Sequence, residues 1–180
     1  MPSLTSDQAA FILHTLGIPA LKAEHPMTRA VIAAIPPGRA EYRPHPDSRS
    51  AFDLAWHIVS AELKYLDAIA SGVFPHDLKP TPDDIRMPSD ILAWYTERFD
   101  PAVTRLETTS GDELLRMVDF YGLRTFPAVV LLQLILNHTI HHRGQLSTYL
   151  RPMGAKVPSL YGPSHDAGGF KGGTASRTAG

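Results

Sequence analysis

From Phe126 to Leu150 the chain carries its strongest helical segment, "FPAVVLLQLILNHTIHHRGQLSTYL", which Pro152 and Gly154 stop. Strand signals are nearly absent elsewhere and no internal repeat occurs, so the remaining elements must also be read mainly as helices. The clearest opens at Ser50, with Asp53 three residues on in a capping-box arrangement, and ends at Gly72. Its apolar residues occupy two faces at 100° per residue. Leu54, Ile58, Ala61, Tyr65 and Ile69 form one, and Phe52, Trp56, Val59, Leu63 and Leu66 form the other. A helix apolar on both sides is sandwiched, inside a bundle or between a bundle and a partner subunit.

Ser6 is read as the cap of a first helix, "DQAAFILHTL", ended by Gly17 and Pro19. A second runs from about Ala20 to Ile35 and is interrupted at Pro26. "SDILAWYTERFDPAVTRLETTS" is helical from a Ser89 cap with a kink at Pro101, and "GDELLRMVDFYGLRT" is a short helix followed by a turn at Gly122. Two proline-rich stretches, "PPGRAEYRPHPDSRS" and "VFPHDLKPTPDDIRMP", connect them. The expected fold is all-α: an antiparallel four-helix bundle over residues 1–154 with long proline-rich connectors. An extended C-terminal segment, 155–180, follows; its last dozen residues are rich in Gly, Ser and Thr and are predicted to be disordered.

Charge argues against a nucleic-acid partner. The 17 basic and 18 acidic residues nearly cancel, and the basic ones form no run that tracks a phosphate backbone. The N-terminus has no basic region preceding an apolar one, and the apolar run "PAVVLLQLIL" is broken by Gln133 and too short to span a bilayer. A soluble, cytoplasmic protein is predicted, with no membrane partner. Cysteine is absent, which removes disulfides, thiolate ligands and a cysteine nucleophile.

Chemistry concentrates in "LNHTIHHRGQL". Taking His138 as zero, His142 lies at about +40° and His141 at about −60° on the helix. With Leu131, Ile135, Leu146 and Tyr149 between about +20° and +80°, the core stripe is read as centred near +40°. His138 and His142 then point inward, one turn apart, a spacing that can grip one metal ion. Thr139 follows the first histidine, so the glutamate of the helix-borne zinc protease motif is missing. A third ligand has to come from a facing helix, where His57 in "LAWHIVSAEL" is the leading candidate; a hydrogen-bonded core histidine is the alternative. Gln145 and Tyr149 face the same way, Gln145 as an acceptor for an imidazole N–H or for a core hydrogen bond. Arg143, near +140° on this scale of about 100° per residue, and Glu62 are read as solvent or interface ion-pair residues.

"FDLAWHIVSAE", "NHTIHHRGQLSTYLR", "GAKVPSLYGPS" and the connector "AAIPPGRAEYRPHPDSRS" together resemble the DinB family, over about residues 20–165. The resemblance implies a four-helix bundle, commonly homodimeric, with a three-histidine metal site. Carried onto this sequence it implies His57, His138 and His142 as ligands of a divalent ion, Zn, Ni or Fe. His141 matches a family histidine not expected to ligate, and is read as a helix-edge residue. Some members of the wider superfamily are thiol-dependent transferases or isomerases using low-molecular-weight thiols such as bacillithiol or mycothiol. The functional expectation is therefore a metal-dependent thiol S-transferase, or a metal-assisted hydrolase, acting on a small molecule. A non-catalytic, metal-stabilised dimeric binding or stress protein is the alternative. His165, in the 157–166 segment, is read as a surface residue, and whether that segment covers the site stays open.

Overall fold

Thr5 rather than Ser6 opens the first helix in the computed structural model, which describes residues 4–76 and 80–168. The Thr5 hydroxyl accepts the Gln8 N–H at 3.3 Å and the Gln8 side chain accepts the Thr5 N–H at 3.0 Å, a complete capping box. Helix α1 covers Ser6–Phe11 and α2 covers Ile18–Ala33, yet Gly17 and Pro19 do not separate them. A wider π-helical turn, Ile12–Gly17, carries the chain from one to the other. Pro19 falls in the first turn of α2, where its missing N–H costs little. Gly17 serves close packing instead: a Cβ there would lie 2.1 Å from Leu132 Cδ2. Pro26 likewise sits inside α2 without ending it.

Helix α3, Ala51–Ser71, begins and ends as the sequence indicates. Ser50 Oγ accepts the Asp53 N–H at 3.0 Å, Asp53 Oδ2 accepts the Ser50 N–H at 3.4 Å, and Gly72 closes the helix at φ +77°. Helix α4, Pro88–Glu107, starts on proline, and Met87 rather than Ser89 holds the N-cap position; Asp90, in the first turn, accepts the Arg86 and Met87 N–H groups at 2.9 and 3.0 Å. Pro101 is accommodated within it. A one-turn helix α5, Gly111–Leu114, and the long α6, Val130–Leu150, complete the helical set.

Residues 117–127 correct the all-α expectation. β1, Met117–Phe120, pairs antiparallel with β2, Arg124–Pro127, and Phe120 stands opposite Arg124. Tyr121 and Gly122 both take positive φ, 58° and 67°, the backbone of a tight hairpin turn. The turn at Gly122 was legible; the strands were not. Four residues place only two side chains on each face, too few for a period of two to stand out.

The protein is thus mostly helical with a small two-stranded sheet. α3 packs against α4 and α6, and α2 packs against the same two. Leu54, Ile58, Leu66 and Ile69 of α3 meet Ile91 and Leu106 of α4 and Leu131, Ile135 and Leu146 of α6 in a core from which solvent is fully excluded. On the second apolar face of α3, Val59 and Leu66 are buried while Phe52, Trp56 and Leu63 are half-buried, and Trp56 meets Trp94 of α4 edge-on with ring centroids 4.7 Å apart.

Helix α5 docks on α1 so closely that a Cβ at Gly111 would lie 2.2 Å from the Ser6 carbonyl oxygen. A backbone atom cannot step aside as a side-chain tip can. Gly111→Ala is therefore expected to lower stability by about 1–3 kcal/mol in urea titrations, by forcing α1 and α5 apart. No helix among the described residues is long and apolar enough to cross a membrane. The predicted disordered tail, residues 169–180, lies outside the described residues.

Candidate metal centre

Because α3 and α6 pack side by side, His57 from one meets His138 and His142 from the other. The three residues, 81 and 85 positions apart across the two helices, bring one ring nitrogen each to within 4.8 Å of one another. His57 Nε2 and His138 Nε2 are 3.0 Å apart. Two nitrogens bound to one ion at about 2.0–2.1 Å, with angles near 90–110°, stand about 2.9–3.4 Å apart, so this spacing fits a shared ion. His142 Nδ1 lies 3.0 Å from Gln145 Oε1, one turn further along α6. That contact directs the Nδ1 proton to the amide oxygen and leaves Nε2 with its lone pair free to ligate.

Electrostatics keep the cluster neutral. His57 and His138 are lowered to about 4, mainly by burial; Arg49 adds to the effect at His57, and His142 and His57 add to it at His138. His142 is also lowered, again chiefly by burial and against the Gln145 hydrogen bond. Neutral imidazoles at pH 7 are the form that binds a cation, so ligation needs no proton to be expelled first. An all-nitrogen set with three protein ligands leaves at least one position for water or substrate.

The remaining candidates fall outside the cluster. His141 is exposed on the α6 surface, its ring 4.8 Å from that of His142. His165 is exposed in a short 3₁₀ turn, and no residue of 157–166 lines the cavity at the histidines. That segment is tied down elsewhere: Asp166 accepts the Val157 N–H at 2.8 Å and Arg151 Nε–H at 3.2 Å, and the Tyr161 hydroxyl donates to Glu24 at 2.8 Å.

Arg143 and Glu62 are corrections. Arg143 is 1% exposed; its guanidinium donates to the Glu24 carbonyl at 3.2 Å and Thr28 Oγ1 at 3.3 Å, and pairs with the Glu24 carboxylate at 2.5 Å. The buried residues of α6 also include Leu132, Thr139 and Leu150, and the whole set centres near +80°, about 40° beyond the expected stripe. Arg143 is therefore inside, while His138 and His142 sit at the edge of the core. An edge position suits a site that must be partly dry and yet reachable.

Glu62 is fully buried, accepts the Tyr95 hydroxyl with one oxygen and has no partner for the other. Burial pushes its carboxyl up to about 7, against the lowering pull of the Tyr95 hydrogen bond and Arg143. Between its ordinary value near 4.5 and about 7, the unfolded chain releases this proton and the folded one retains it, so stability falls as pH rises through that window. Glu62→Gln is expected to unfold at the same urea concentration as wild type at pH 4 and to gain on the order of 3 kcal/mol over it at pH 8.

A cavity of about 580 Å³ opens beside the cluster, with His57 and His138 in its wall together with Trp56, Trp94, Tyr65 and Tyr121. Arg49, exposed and close enough to lower all three histidines of the cluster, and Lys64 supply the positive charge nearby. The sequence did not single out Trp94, Tyr121, Lys64 or Arg49. Each lies on a different element or turn from the histidine block, and only the packing of α3, α4 and the hairpin brings them to it.

Comparison with known proteins agrees with this architecture. The DinB family model matches residues 20–169. Two uncharacterized proteins of Bacillus subtilis (strain 168) are similar in sequence: YrdA, 29% identical over 63% of this chain and 66% of its own, and YjoA, 32% identical over 63% of this chain and 73% of its own. The crystal structure of the DinB-like protein YjoA superposes with a TM-score of 0.65 at 28% identity, covering 79% of this chain and 95% of that one. That of a DinB-like protein from Bacillus cereus ATCC 10987 superposes with a TM-score of 0.67 at 23% identity, covering 80% and 95%, and bears on the fold alone. The chain belongs to the DinB family.

Proposed function

We propose that this protein is a divalent-metal-dependent enzyme whose ion, Zn, Ni or Fe, is held by His57, His138 and His142, and that it acts as a thiol S-transferase. The observation that carries the reading is the convergence of three neutral imidazoles, two of which, His57 and His138, stand in the wall of an open cavity. A bound divalent ion supplies Lewis acidity, lowering the pKa of a water or thiol placed against it. The chain contributes no thiol, since it has no cysteine, so the nucleophile is the thiol of a small cosubstrate. The positive field of Arg49 favours that thiol as thiolate, and Trp56 and Trp94 shield it from water. The sulfur bonds to the electrophilic carbon while the leaving group departs, and the thiol proton is lost to solvent. Gln145 holds the His142 ring in its ligating orientation throughout.

Metal-assisted hydrolysis is the close variant, with water in place of the thiol. The same proposal includes an antiparallel four-helix bundle formed by α2, α3, α4 and α6, supported by their mutual packing. It also includes a cytoplasmic homodimer, supported by the family resemblance. Protein loaded in turn with Zn²⁺, Ni²⁺ and Fe²⁺ and supplied with bacillithiol or mycothiol and monochlorobimane is expected to form the thioether, and His57→Ala is not. Ester hydrolysis without thiol would establish the hydrolase variant. Absence of both activities, with a melting temperature that falls on chelation, would establish a non-catalytic metal-stabilised protein instead.

A further inference from the structure

The geometry points to a substrate class for this cavity: a small acid with a flat apolar body, whose carboxylate is received by Lys64 and whose body lies along α3 toward His57. This rests on the metal-site reading for the identity of the reacting end, but the recognition itself is written in residues that do not ligate.

Lys64 follows His57 by seven residues, two helical turns, so both project from the same face of α3 about 10 Å apart along its axis. Between them on that face stand Ser60 and Ala61, the smallest residues of the cavity wall. Ser60 turns its hydroxyl onto its own helix, donating to the Trp56 carbonyl at 2.7 Å. The floor between the histidine and the lysine is therefore low and apolar. Trp56 and Tyr65 border it at about −100° and +80° from His57, Trp56 at the histidine end and Tyr65 at the lysine end. A strip of this kind, apolar, bordered by a ring at each end and roughly 10 Å long, fits a planar apolar body of one ring and a short chain.

Its far end is cationic. Lys64 Nζ donates to the Tyr121 hydroxyl at 3.0 Å and lies over the Phe74 and Tyr121 rings, 4.7 and 4.9 Å from their centroids. No carboxylate among the described residues pairs with it. The nearby acid of the wall, Asp67, is engaged by Arg105 at 3.1 Å. Among the described residues, two rings and a hydroxyl thus fix the ammonium with no carboxylate against it, leaving donors for an anion that arrives with the ligand.

The test uses the chain's own reporters. Its two tryptophans, Trp56 and Trp94, both line this cavity, so quenching of their fluorescence reads its occupancy. 3-Phenylpropionate and its uncharged amide are titrated into chelator-treated protein, where an ion cannot attract the acid, and again into Zn²⁺-loaded protein with metal content measured on the same samples. The acid is expected to bind metal-free wild type about three- to fivefold more tightly than the amide. Lys64→Met should remove that preference while leaving amide binding within about twofold, because the apolar stem is retained. Ala61→Leu should weaken both ligands together, and Arg49→Gln should leave the preference in place. Equal binding of acid and amide, no quenching by either, a preference that survives Lys64→Met, or one lost in Arg49→Gln overturns the proposal. Protein that takes up Zn²⁺ but shows no preference overturns this inference alone. Protein that shows the preference but takes up no metal overturns the metal site and leaves Lys64 recognition standing.

Discussion

Replacing His57 or His142 by alanine is expected to reduce divalent metal from about one ion per chain to a small fraction of that, because two remaining imidazoles hold an ion far less tightly than three. Elemental mass spectrometry on tag-free protein, after incubation with Zn²⁺ near neutral pH and removal of free ion, makes the comparison. His141→Ala, whose ring borders His142 but lies outside the convergent set, should keep its metal. Gln145→Ala should fall between, with affinity reduced on the order of tenfold, since the acceptor that orients His142 is lost. Wild-type protein that takes up no Zn²⁺, Ni²⁺ or Fe²⁺ would remove the ligand assignment altogether. Loss of metal in His141→Ala with retention in His142→Ala would exchange their roles.

The largest effect on stability is expected at Arg143. Arg143→Met strands the Glu24 carboxylate, whose side chain is only 13% exposed, and leaves Thr28 and Tyr161 without the guanidinium they contact. Breaking a buried pair by deleting one partner costs about 3–5 kcal/mol, because an uncompensated charge remains in the interior. Glu24→Met should cost a similar amount from the other side. The double variant Arg143→Met with Glu24→Met should recover much of the loss, since apolar side chains of similar volume replace both charges. Urea unfolding of the four proteins supplies the cycle. A purely additive double variant would show that the pair is not coupled and that Arg143 acts through packing alone.

The consequence of that pairing extends to the C-terminal segment. Tyr161 contacts both Arg143 and Glu24, and its ring lies 5.3 Å from the guanidinium carbon. The segment is thereby fastened to α2 and α6 away from the cavity, which explains why it does not cover the histidines even though it follows directly on the helix that bears two of them.

Local signals carried a long way here. Ser50 with Asp53, Gly72, and the run ending before Pro152 and Gly154 placed α3 and α6 because caps and stops act through backbone groups three or four residues away. The one-turn spacing of His138 and His142 followed from helix periodicity, although the buried stripe leaves them at the edge of the core, and His57 followed from the family resemblance. What local rules misjudged was equally specific. Gly17 read as a stop but is a contact with Leu132; the short helix and the Gly122 turn within residues 111–125 were legible, but the strands on either side of that turn were not; Ser6 and Ser89 read as caps, where Thr5 and Met87 hold the N-cap positions.

The sequence by itself determined the helical character of the chain and the spacing of the α6 histidines, properties of neighbours along the chain, and by its composition the absence of any thiolate ligand or cysteine nucleophile. Tertiary structure alone decided that Arg143 and Glu62 are inside. An arginine or a glutamate can be buried only where another element brings a partner, and Glu24 and Tyr95 lie 119 and 33 residues from them. It also decided how a tryptophan of α4, a tyrosine of the hairpin and a lysine of α3 enclose one cavity beside three histidines, because nothing in the order of residues records which faces of separate helices will meet.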